Sequence, residues 1–449
     1  MQEQMIRRLS APVPRYTSYP TAPHFTEAIG ESAYRGWLGD VMPATLVSLY
    51  LHIPFCDRLC WFCGCHTKQV LRYAPIAAYL KALQAELRTL GAALSDRGRV
   101  TQIHLGGGSP SMLLPADMCL LSDRIREQLT VSEGVEFSIE VDPNDMTPDR
   151  YDGFAEAGVT RVSVGVQDFD PLVQRSINRI QTVEQTRAVI DAVRRRGVRS
   201  VNLDVLYGLP HQTIDSLDAT VDAVLEMAPD RIALFGYAHV PWMKTHQKMI
   251  DEAALPDVVE RYYQSQHAAA KLVAAGYEPI GMDHFARPGD PLAVAAREGR
   301  LHRNFQGYTT DDAPVLIGLG ASAIGTLPQG YVQNVTPTGE YMRRALAGEL
   351  PIARGFALTA DDRLRRYAIE QLMCNAELRV SDLQSRFGTI SGQLVEDMHM
   401  LYALDGEALV TFDGDRLALT ERGRPFVRTF ASTFDAYLSA GKPRHSVAV

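Results

Sequence analysis

Residues 45–66 read TLVSLYLHIPFCDRLCWFCGCH, an apolar and β-branched run that passes directly into a loop with four cysteines. The apolar part, TLVSLYLHI, predicts a buried strand. The loop holds Cys56, Cys60, Cys63 and Cys65 within ten positions. Such a dense group of thiols in a chain with only six cysteines indicates metal or redox chemistry rather than a disulfide scaffold.

Five further apolar runs follow the first strand at intervals of roughly 25 to 50 residues, as repeated βα units require. They are TQIHL (101–105), VEFSIEV (135–141), RVSVGV (161–166), SVNLDVLY (200–207) and RIALFGY (231–237). Helical patterns separate these runs, and the first is marked by Ile76, Leu80, Leu83, Leu87 and Leu90. The alternation predicts a parallel sheet that is either doubly wound or curled as a barrel.

Polar residues and glycines near the ends of these strands favour the barrel. The residues concerned are Gly106, Gly107 and Gly108 after the second strand, Glu140 near the end of the third, Gln167 after the fourth and Asp204 in the fifth. Any one of them could equally cap the helix that follows. Because active sites of α/β barrels lie at the carboxyl ends of the strands, the group together with the cysteines predicts a site.

The two ends of the chain differ from this central pattern. Residues 1–44 contain PRYTSYPTAP (14–23) and are interpreted as an extended N-terminal arm, while residues 45–350 would form the barrel. Residues 351–449 predict a mainly helical C-terminal domain in which helices precede a hairpin, as in a winged helix. From Gly355 onward the chain has 11 Lys or Arg and 13 Asp or Glu, which argues against phosphate binding and favours a lid or packing role.

Composition excludes several other classes of protein. The chain has 449 residues, of which 46% are hydrophobic and 22% charged, so collagen, coiled-coil and disordered classes are excluded. The net charge of -8 provides no overall attraction to nucleic acid or to anionic lipid. The first twenty residues do not resemble a signal peptide, and the chain has no apolar run long enough to cross a membrane, so a cytoplasmic protein is expected.

The spacing of Cys56, Cys60 and Cys63 suits three irons of a [4Fe-4S] cluster, with the fourth iron left open to bind another molecule. Zinc is the alternative, since His52, Cys65 or His66 could supply a fourth ligand. Structural zinc usually draws on a second ligand pair a dozen or more residues away, and the sequence has none. The cysteines therefore favour the iron–sulfur interpretation.

The Cys-x3-Cys-x-aromatic-Cys pattern, with Phe62 as the aromatic residue, resembles the signature of radical S-adenosylmethionine enzymes. Within that superfamily the chain resembles the oxygen-independent coproporphyrinogen III oxidases over nearly its full length. The matching motifs are PRYTSYPTAP (14–23), YLHIPFC (50–56), GGGSPS (106–111), SIEVDP (138–143), VGVQDFD (164–170), NLDVLYGLP (202–210) and HRNFQGYTT (302–310). The resemblance implies a three-quarter (β/α)6 barrel with an N-terminal arm and a helical C-terminal domain.

The resemblance also implies a reaction and a set of cofactors. Two propionate side chains of coproporphyrinogen III would be decarboxylated to vinyl groups without oxygen, giving protoporphyrinogen IX for heme biosynthesis. Cys56, Cys60 and Cys63 would ligate a [4Fe-4S] cluster whose open iron binds S-adenosylmethionine, the source of a 5'-deoxyadenosyl radical. Two S-adenosylmethionine molecules are expected, together with an electron donor such as a flavodoxin or a ferredoxin, an unspecified electron acceptor, and a monomeric protein.

The residues that match the family's S-adenosylmethionine contacts are Tyr50, Phe62, Gly106, Gly107, Gly108, Glu140, Gln167, Arg179, Asp204, Ala238 and Ile324. In this interpretation the glycines allow the backbone to approach the ligand and offer N–H groups to its carboxylate. Glu140 and Asp204 are acceptors suited to ribose hydroxyls or to an ammonium group.

Cys65 is expected to act as a non-ligand near the substrate or the second cofactor, because its ligation would block the open iron. The candidate catalytic residues are therefore Cys65, Glu140 and Asp204. The four carboxylates of the substrate call for cations, and Arg15 and Arg303 are the candidates, with Tyr16 and Tyr19 as stacking or hydrogen-bonding partners.

Two other functions compete with the oxidase. A related branch of the superfamily binds heme for trafficking, and a third possibility is a radical enzyme that modifies another tetrapyrrole. Cys65 and the YTSYPTAP arm are expected of the oxidase, and both are present.

Overall fold

A computed structural model describes residues 1–438, and its central feature is a twelve-stranded mixed sheet. Six parallel strands form the middle of this sheet in the order of the chain. They are β1 (Leu46–Ile53), β2 (Arg99–Gly107), β3 (Val131–Val141), β4 (Arg161–Gln167), β5 (Ser200–Tyr207) and β6 (Arg231–Gly236). All six strands were predicted from the apolar runs, and the parallel pairing is confirmed.

Helices connect each of these strands to the next. They are Ala74–Leu94, Pro115–Gln128, Pro148–Ala157, Pro171–Ser176, Val183–Arg195 and Ile214–Glu226, and Val258–Ala274 follows β6. The predicted apolar face of the first helix is buried against the sheet, with Leu83, Leu87 and Leu90 inaccessible to solvent. This alternation is the predicted (β/α)6 arrangement, in which helices cover a parallel sheet.

Shorter strands extend the sheet at both edges. Beyond β6 lie β8 (His284–Ala286) and β7 (Glu278–Ile280), while beyond β1 lie β11 (Val315–Leu319), β12 (Ile324–Leu327), β13 (Gly330–Asn334) and β14 (Ile352–Ala357). A separate hairpin pairs β9 (His302–Asn304) with β10 (Gly307–Thr309), and helices Pro291–Arg297 and Thr338–Leu346 complete this region. Because β11 runs parallel to β1, the cysteine loop leaves from an interior strand.

The first 44 residues contain two helices, Glu3–Leu9 and Glu31–Gly39, on either side of the irregular segment that includes PRYTSYPTAP. Tyr16 and Tyr19 are buried in the same apolar cluster as the C-terminal helices. Tyr34 and Leu38 instead join the core around the parallel sheet. The segment therefore packs on both of the larger units of the chain.

The C-terminal region contains the predicted helices followed by a hairpin. The helices are Ala360–Asn375, Val380–Phe387, Gly392–Leu404 and Val427–Ala431, and the small sheet pairs β15 (Glu377–Arg379) and β16 (Val410–Phe412) with β17 (Arg416–Leu419). Residues 439–449, the end of the predicted C-terminal domain, lie outside the described residues. Within residues 1–438, no helix has the length and apolar character needed to span a membrane.

Candidate active site

The cysteine loop and the ends of β2 to β5 border one cavity of about 230 Å³, the cluster cavity. Parallel strands end at the same edge of a sheet, so residues far apart in sequence meet there. The predicted site residues that line this cavity are Cys56, Cys60, Phe62, Cys63, Cys65, Gly107, Gly108, Glu140, Gln167, Arg179 and Asp204.

Four predicted cofactor residues do not line the cluster cavity. Tyr50 stacks on His104 with ring centroids 5.8 Å apart, and Gly106 lies against Glu140. The carbonyl of Ala238 accepts a hydrogen bond from Gln247, whose amide also donates to the carbonyl of Phe62 in the cysteine loop. Ile324 lies on β12 and packs against an apolar cluster of Phe25, Tyr331 and Leu358.

Three thiols, those of Cys56, Cys60 and Cys63, border the cluster cavity together. Among residues 1–438, no three His, Cys, Asp or Glu side chains are grouped closely enough to hold a single metal ion. A [4Fe-4S] cluster binds each cysteine through a different iron, so three thiols spread around one cavity fit this group. His52, a candidate zinc ligand, has both ring nitrogens engaged: Nδ1 contacts the Tyr50 hydroxyl and Nε2 the carbonyl of His66, each at 2.9 Å.

The segment after β6 holds the backbone of the cysteine loop. Its donors are His246 Nε2 to the carbonyl of Cys63 (2.7 Å), Lys244 Nζ to that of Cys65 (2.9 Å) and Gln247 Nε2 to that of Phe62 (2.9 Å). From the other side, Asn178 Nδ2 donates to the carbonyl of Leu59 at 2.9 Å. Sequence reasoning missed these four residues, because a side chain that binds a distant backbone carbonyl leaves no motif.

Arg179 forms a buried ion pair beside the cysteines. Its Nη1 donates to Asp142 Oδ2 at 2.8 Å and lies 3.7 Å from the sulfur of Cys60, while Nη2 donates to the carbonyl of Gly165 at 2.7 Å. Burial raises the pKa of Asp142, but the charges of Arg179 and Arg58 and the hydrogen bonds from Asn144 together outweigh this effect and hold the pKa below its ordinary value. Arg179 therefore fixes Asp142 and places a positive charge beside a cysteine sulfur.

Glu140 accepts hydrogen bonds from the backbone N–H of Gly107 at 2.9 Å and from His104 Nε2 at 3.3 Å. Burial raises the pKa of Glu140, yet the contact with His104 and the Gly107 N–H together hold it below its ordinary value. The other ring nitrogen of His104, Nδ1, lies 2.6 Å from the hydroxyl of Ser138. Glu140 is thus an ionised acceptor held from two sides.

The expectation that the glycines offer N–H groups to a ligand is wrong for two of them. The N–H of Gly107 donates to Glu140, and that of Gly108 donates to the carbonyl of Ile53 at 2.8 Å. The lack of room for a side chain explains the glycines at these positions instead. A Cβ at Gly107 would lie 2.4 Å from the ring of His52, and φ there is +109°, which favours glycine.

Asp204 is the second carboxylate of the cluster cavity. It accepts hydrogen bonds from Ser163 Oγ at 3.1 Å and Asn202 Nδ2 at 2.7 Å. Burial, with the nearby charge of Glu140, raises its pKa to about 6. The two carboxylates therefore differ in their tendency to ionise, although they share one cavity.

Two further predicted residues of the cavity have unusual local geometry. Gln167 adopts φ +66° where the register between β4 and β5 shifts, so it departs from the regular strand at the cavity. The backbone N–H of Cys65 lies 3.4 Å from the sulfur of Cys63. Cys65 thus supports a neighbouring thiol through its backbone.

The four predicted substrate residues fall into two places. Tyr16, Tyr19 and Arg303 line a second cavity of about 250 Å³, which we call the arm cavity. Arg15 lies elsewhere, since its Nη2 donates to the carbonyl of Gly236 at 2.7 Å and its side chain lines a smaller cavity with Arg261 and Arg428.

Comparison with known proteins agrees with this geometry. The sequence profile of the Radical SAM superfamily matches residues 50–224, and that of the HemN C-terminal domain matches residues 358–426. The first range includes the cysteine loop and the strands that line the cluster cavity.

Relatives match over almost the whole chain. It is 47% identical to the oxygen-independent coproporphyrinogen III oxidase of Bradyrhizobium diazoefficiens over 97% of both chains, and 46% identical to that of Paracoccus denitrificans over 100% of both. The solved structure of coproporphyrinogen III oxidase from Escherichia coli, described as a radical SAM enzyme, matches with a TM-score of 0.90 and 40% identity. That match covers 94% of this chain and 98% of the other. The chain therefore belongs to the oxygen-independent coproporphyrinogen III oxidase family of radical SAM enzymes.

Proposed function

We propose that the protein converts coproporphyrinogen III to protoporphyrinogen IX by oxidative decarboxylation of two propionate side chains without oxygen. The observation that carries this proposal is the meeting of three cysteines, Glu140 and Asp204 around one cavity. The names of the full-length relatives support the substrate, and the radical SAM family implies a [4Fe-4S] cluster and S-adenosylmethionine.

Cys56, Cys60 and Cys63 would hold the cluster, whose remaining iron would bind the amino and carboxylate groups of S-adenosylmethionine. When bound, these groups supply one-electron cleavage of the sulfonium and a 5'-deoxyadenosyl radical that removes a hydrogen atom from the β-carbon of a propionate. Loss of carbon dioxide and one electron then converts that propionate side chain to a vinyl group. Two such events consume two S-adenosylmethionine molecules per product.

The protein's own groups position the reactants in this scheme. Glu140, ionised and held by His104 and Gly107, would accept hydrogen bonds from polar groups of S-adenosylmethionine. Asp204 would accept another from the same cavity. The remaining family matches would complete the binding of one or both cofactor molecules: Tyr50, Phe62, Gly106, Gly108, Gln167, Arg179, Ala238 and Ile324. Cys65 would remain a non-ligand near the substrate.

The arm cavity is proposed to receive an edge of the tetrapyrrole. Ser48 and Tyr50 lie two residues apart on β1, so their side chains share one face of the strand, roughly 7 Å apart. Ser48 donates to Asp311, which lines the arm cavity, whereas Tyr50 stacks on His104 beside Glu140. β1 therefore contacts one residue that lines the arm cavity and one that lies beside Glu140 of the cluster cavity, and the proposal requires the substrate to extend between the two.

The electron donor and acceptor, the cellular location and the oligomeric state are also part of the proposal. The reaction needs an electron donor that reduces the cluster, such as a flavodoxin or a ferredoxin, and an electron acceptor of a kind that the chain does not reveal. A reducing cytoplasm suits the six free cysteines. We expect a monomer.

An anaerobic assay tests the proposal. Protein reconstituted with iron and sulfide is incubated with coproporphyrinogen III, S-adenosylmethionine and a reductant, and tetrapyrrole mass is followed together with 5'-deoxyadenosine. The oxidase yields a divinyl product and two 5'-deoxyadenosines per tetrapyrrole. Deoxyadenosine without decarboxylation would favour a paralogue with another substrate, and tight heme binding without either product would favour the trafficking function.

A further inference from the structure

Several separate parts of the chain line the arm cavity, and three of them bring aromatic and cationic side chains to it. Tyr16 and Tyr19 come from the N-terminal arm, Arg303 from the β9–β10 hairpin, and Arg366 from the first C-terminal helix, Ala360–Asn375. Its volume of about 250 Å³ is below the roughly 300–1,000 Å³ of pockets that enclose whole small molecules. The cavity thus suits one edge of a larger ligand.

Arg303 is a buried cation with unused hydrogen-bonding capacity. Its guanidinium carbon lies 4.5 Å from the ring centroid of Tyr308, and Nη2 lies 3.4 Å from the carbonyl of Arg15. Its Nε and Nη1 atoms are buried without a hydrogen-bond partner. Leaving charged donors unsatisfied is costly, so these two atoms indicate a ligand that accepts hydrogen bonds.

Arg366 contributes a second guanidinium to the same cavity. Its guanidinium carbon lies 5.5 Å from the ring centroid of Tyr331, which also lines the cavity. In the described part of the chain, neither Arg366 nor Arg303 forms an ion pair with a carboxylate. The buried Asp283, which lines the neighbouring cavity with Arg15, acts on the charge of Arg303 without forming an ion pair with it. Two arginines that are stacked on aromatic rings and form no ion pair are suited to bind carboxylates through their planar N–H groups.

The acidic residues of the cavity are engaged elsewhere or exposed. Glu370 lies 3.2 Å from Nδ1 of His302, and Asp311 accepts hydrogen bonds from Ser48 and the N–H of Ala313. Asp312 is exposed to solvent. The acids therefore leave both guanidinium groups available to a ligand.

We propose that Arg366 and Arg303 together bind propionate carboxylates of the tetrapyrrole, so that the C-terminal domain supplies part of the substrate site. This inference rests on the proposed function, since it assigns the non-reacting carboxylates of that substrate to named residues. It also gives the C-terminal domain a binding role beyond packing.

Binding of coproporphyrin III, the air-stable tetracarboxylate, tests this proposal when it is compared with binding of its neutral tetra-amide. Both ligands are titrated under anaerobic conditions into the cluster-loaded protein and into its Arg366→Ala variant. We expect the variant to lose roughly 10- to 100-fold in affinity for the tetracarboxylate, as for other hydrogen bonds to charged groups, and less than twofold for the tetra-amide. Arg366→Lys restores part of the loss, because it keeps the charge without the planar fork.

Arg363→Ala is the matched control. Arg363 lies three residues earlier on the same helix, is exposed, and does not line the cavity. Arg363→Ala should change the affinity for neither the tetracarboxylate nor the tetra-amide by more than twofold. Arg303→Ala should behave like Arg366→Ala.

The proposal fails if Arg366→Ala leaves tetracarboxylate binding unchanged, or if it weakens binding of both ligands equally, as a purely structural role would. If the wild-type enzyme decarboxylates its substrate while Arg366→Ala binds normally, only this inference fails. If the wild type does not decarboxylate the substrate, the proposed function fails. The affinities for coproporphyrin III and its tetra-amide then still show whether Arg366 binds carboxylates.

Discussion

Nε2 of His104 lies 3.3 Å from Oε1 of Glu140, and this contact joins β2 to β3 at the edge of the cluster cavity. Together with the N–H of Gly107 it offsets the effect of burial on the Glu140 carboxyl. The carboxylate is therefore charged and fixed before a cofactor arrives. Because it is already ionised and ordered, binding of the cofactor requires no further reorganisation of this group.

His104→Phe should weaken the binding of S-adenosylmethionine without loss of iron. The aromatic ring preserves the stack on Tyr50 but removes the hydrogen bond to Glu140, and a charge-assisted bond of this kind corresponds to roughly tenfold in affinity. Equilibrium dialysis with labelled S-adenosylmethionine and iron analysis measure the two effects. His267→Phe is the control, because His267 pairs with Asp218 at 2.7 Å on the outer surface. Equal affinities for the wild type and the His104 variant would contradict this role.

Cys65→Ser should retain the full iron content, whereas Cys63→Ser should lose most of it. Cys65 contacts Cys63 through its backbone N–H, which a serine at position 65 preserves, and through its side chain, where a serine hydroxyl can still form a hydrogen bond. Iron and sulfide analysis after anaerobic reconstitution compares the two variants. Loss of iron from Cys65→Ser would make Cys65 a ligand and reject its assignment as a non-ligand.

Gly107→Ala should destabilise the protein more than Gly134→Ala. Both glycines have positive φ, +109° and +72°, so each substitution carries a backbone strain of about 1 kcal/mol. Only the Cβ at position 107 meets a neighbour, the ring of His52, whereas nothing lies within 4 Å of one at position 134. Thermal denaturation of the two variants gives the comparison, and equal losses would show that the contact with His52 does not matter.

Glu86 should make the stability of the fold depend on pH. Its carboxylate is buried and accepts hydrogen bonds from Tyr341, Asn334 and Gly320, and burial raises its pKa to about 7 from 4.5. Between these values the folded state keeps a proton that the unfolded chain has lost. The free energy of unfolding should therefore fall as pH rises from 4.5 to about 7, by up to about 3 kcal/mol.

Glu86→Gln should make this part of the pH profile less steep, because the amide does not titrate while Asp204, whose pKa is raised to about 6, still does. Glu133→Gln, at an exposed position, is the control and should leave the profile unchanged. Urea unfolding at a series of pH values from 4.5 to 7.5 provides the measurement. A wild-type profile that rises over this range would contradict the assignment.

The sequence predicted the six parallel strands because their apolar runs are continuous, and it located the cysteine loop because it follows the first run directly. It also placed Glu140 and Asp204 at one edge, since parallel strands end together. Local patterns of this kind depend on neighbouring residues alone, which explains why they are visible without a structure.

Other features depend on contacts between distant residues. Lys244 and His246 hold the backbone of a loop about 180 positions away, and nothing in their own surroundings in the sequence marks them. Arg15 and Tyr16 are adjacent in sequence, yet they line different cavities. Arg15 and Arg303 also line different cavities, although Nη2 of Arg303 lies 3.4 Å from the carbonyl of Arg15, so their shared role in substrate binding stays a prediction.

The proposed function requires that a hydrogen atom is removed from the β-carbon of a propionate at the cluster cavity. The most direct test uses coproporphyrinogen III that carries deuterium at the β-carbons of its propionates, in the anaerobic assay with S-adenosylmethionine. Mass spectrometry then measures deuterium in the 5'-deoxyadenosine. We expect one deuterium atom to be transferred for each vinyl group formed, while vinyl formation with unlabelled 5'-deoxyadenosine would contradict the proposed function.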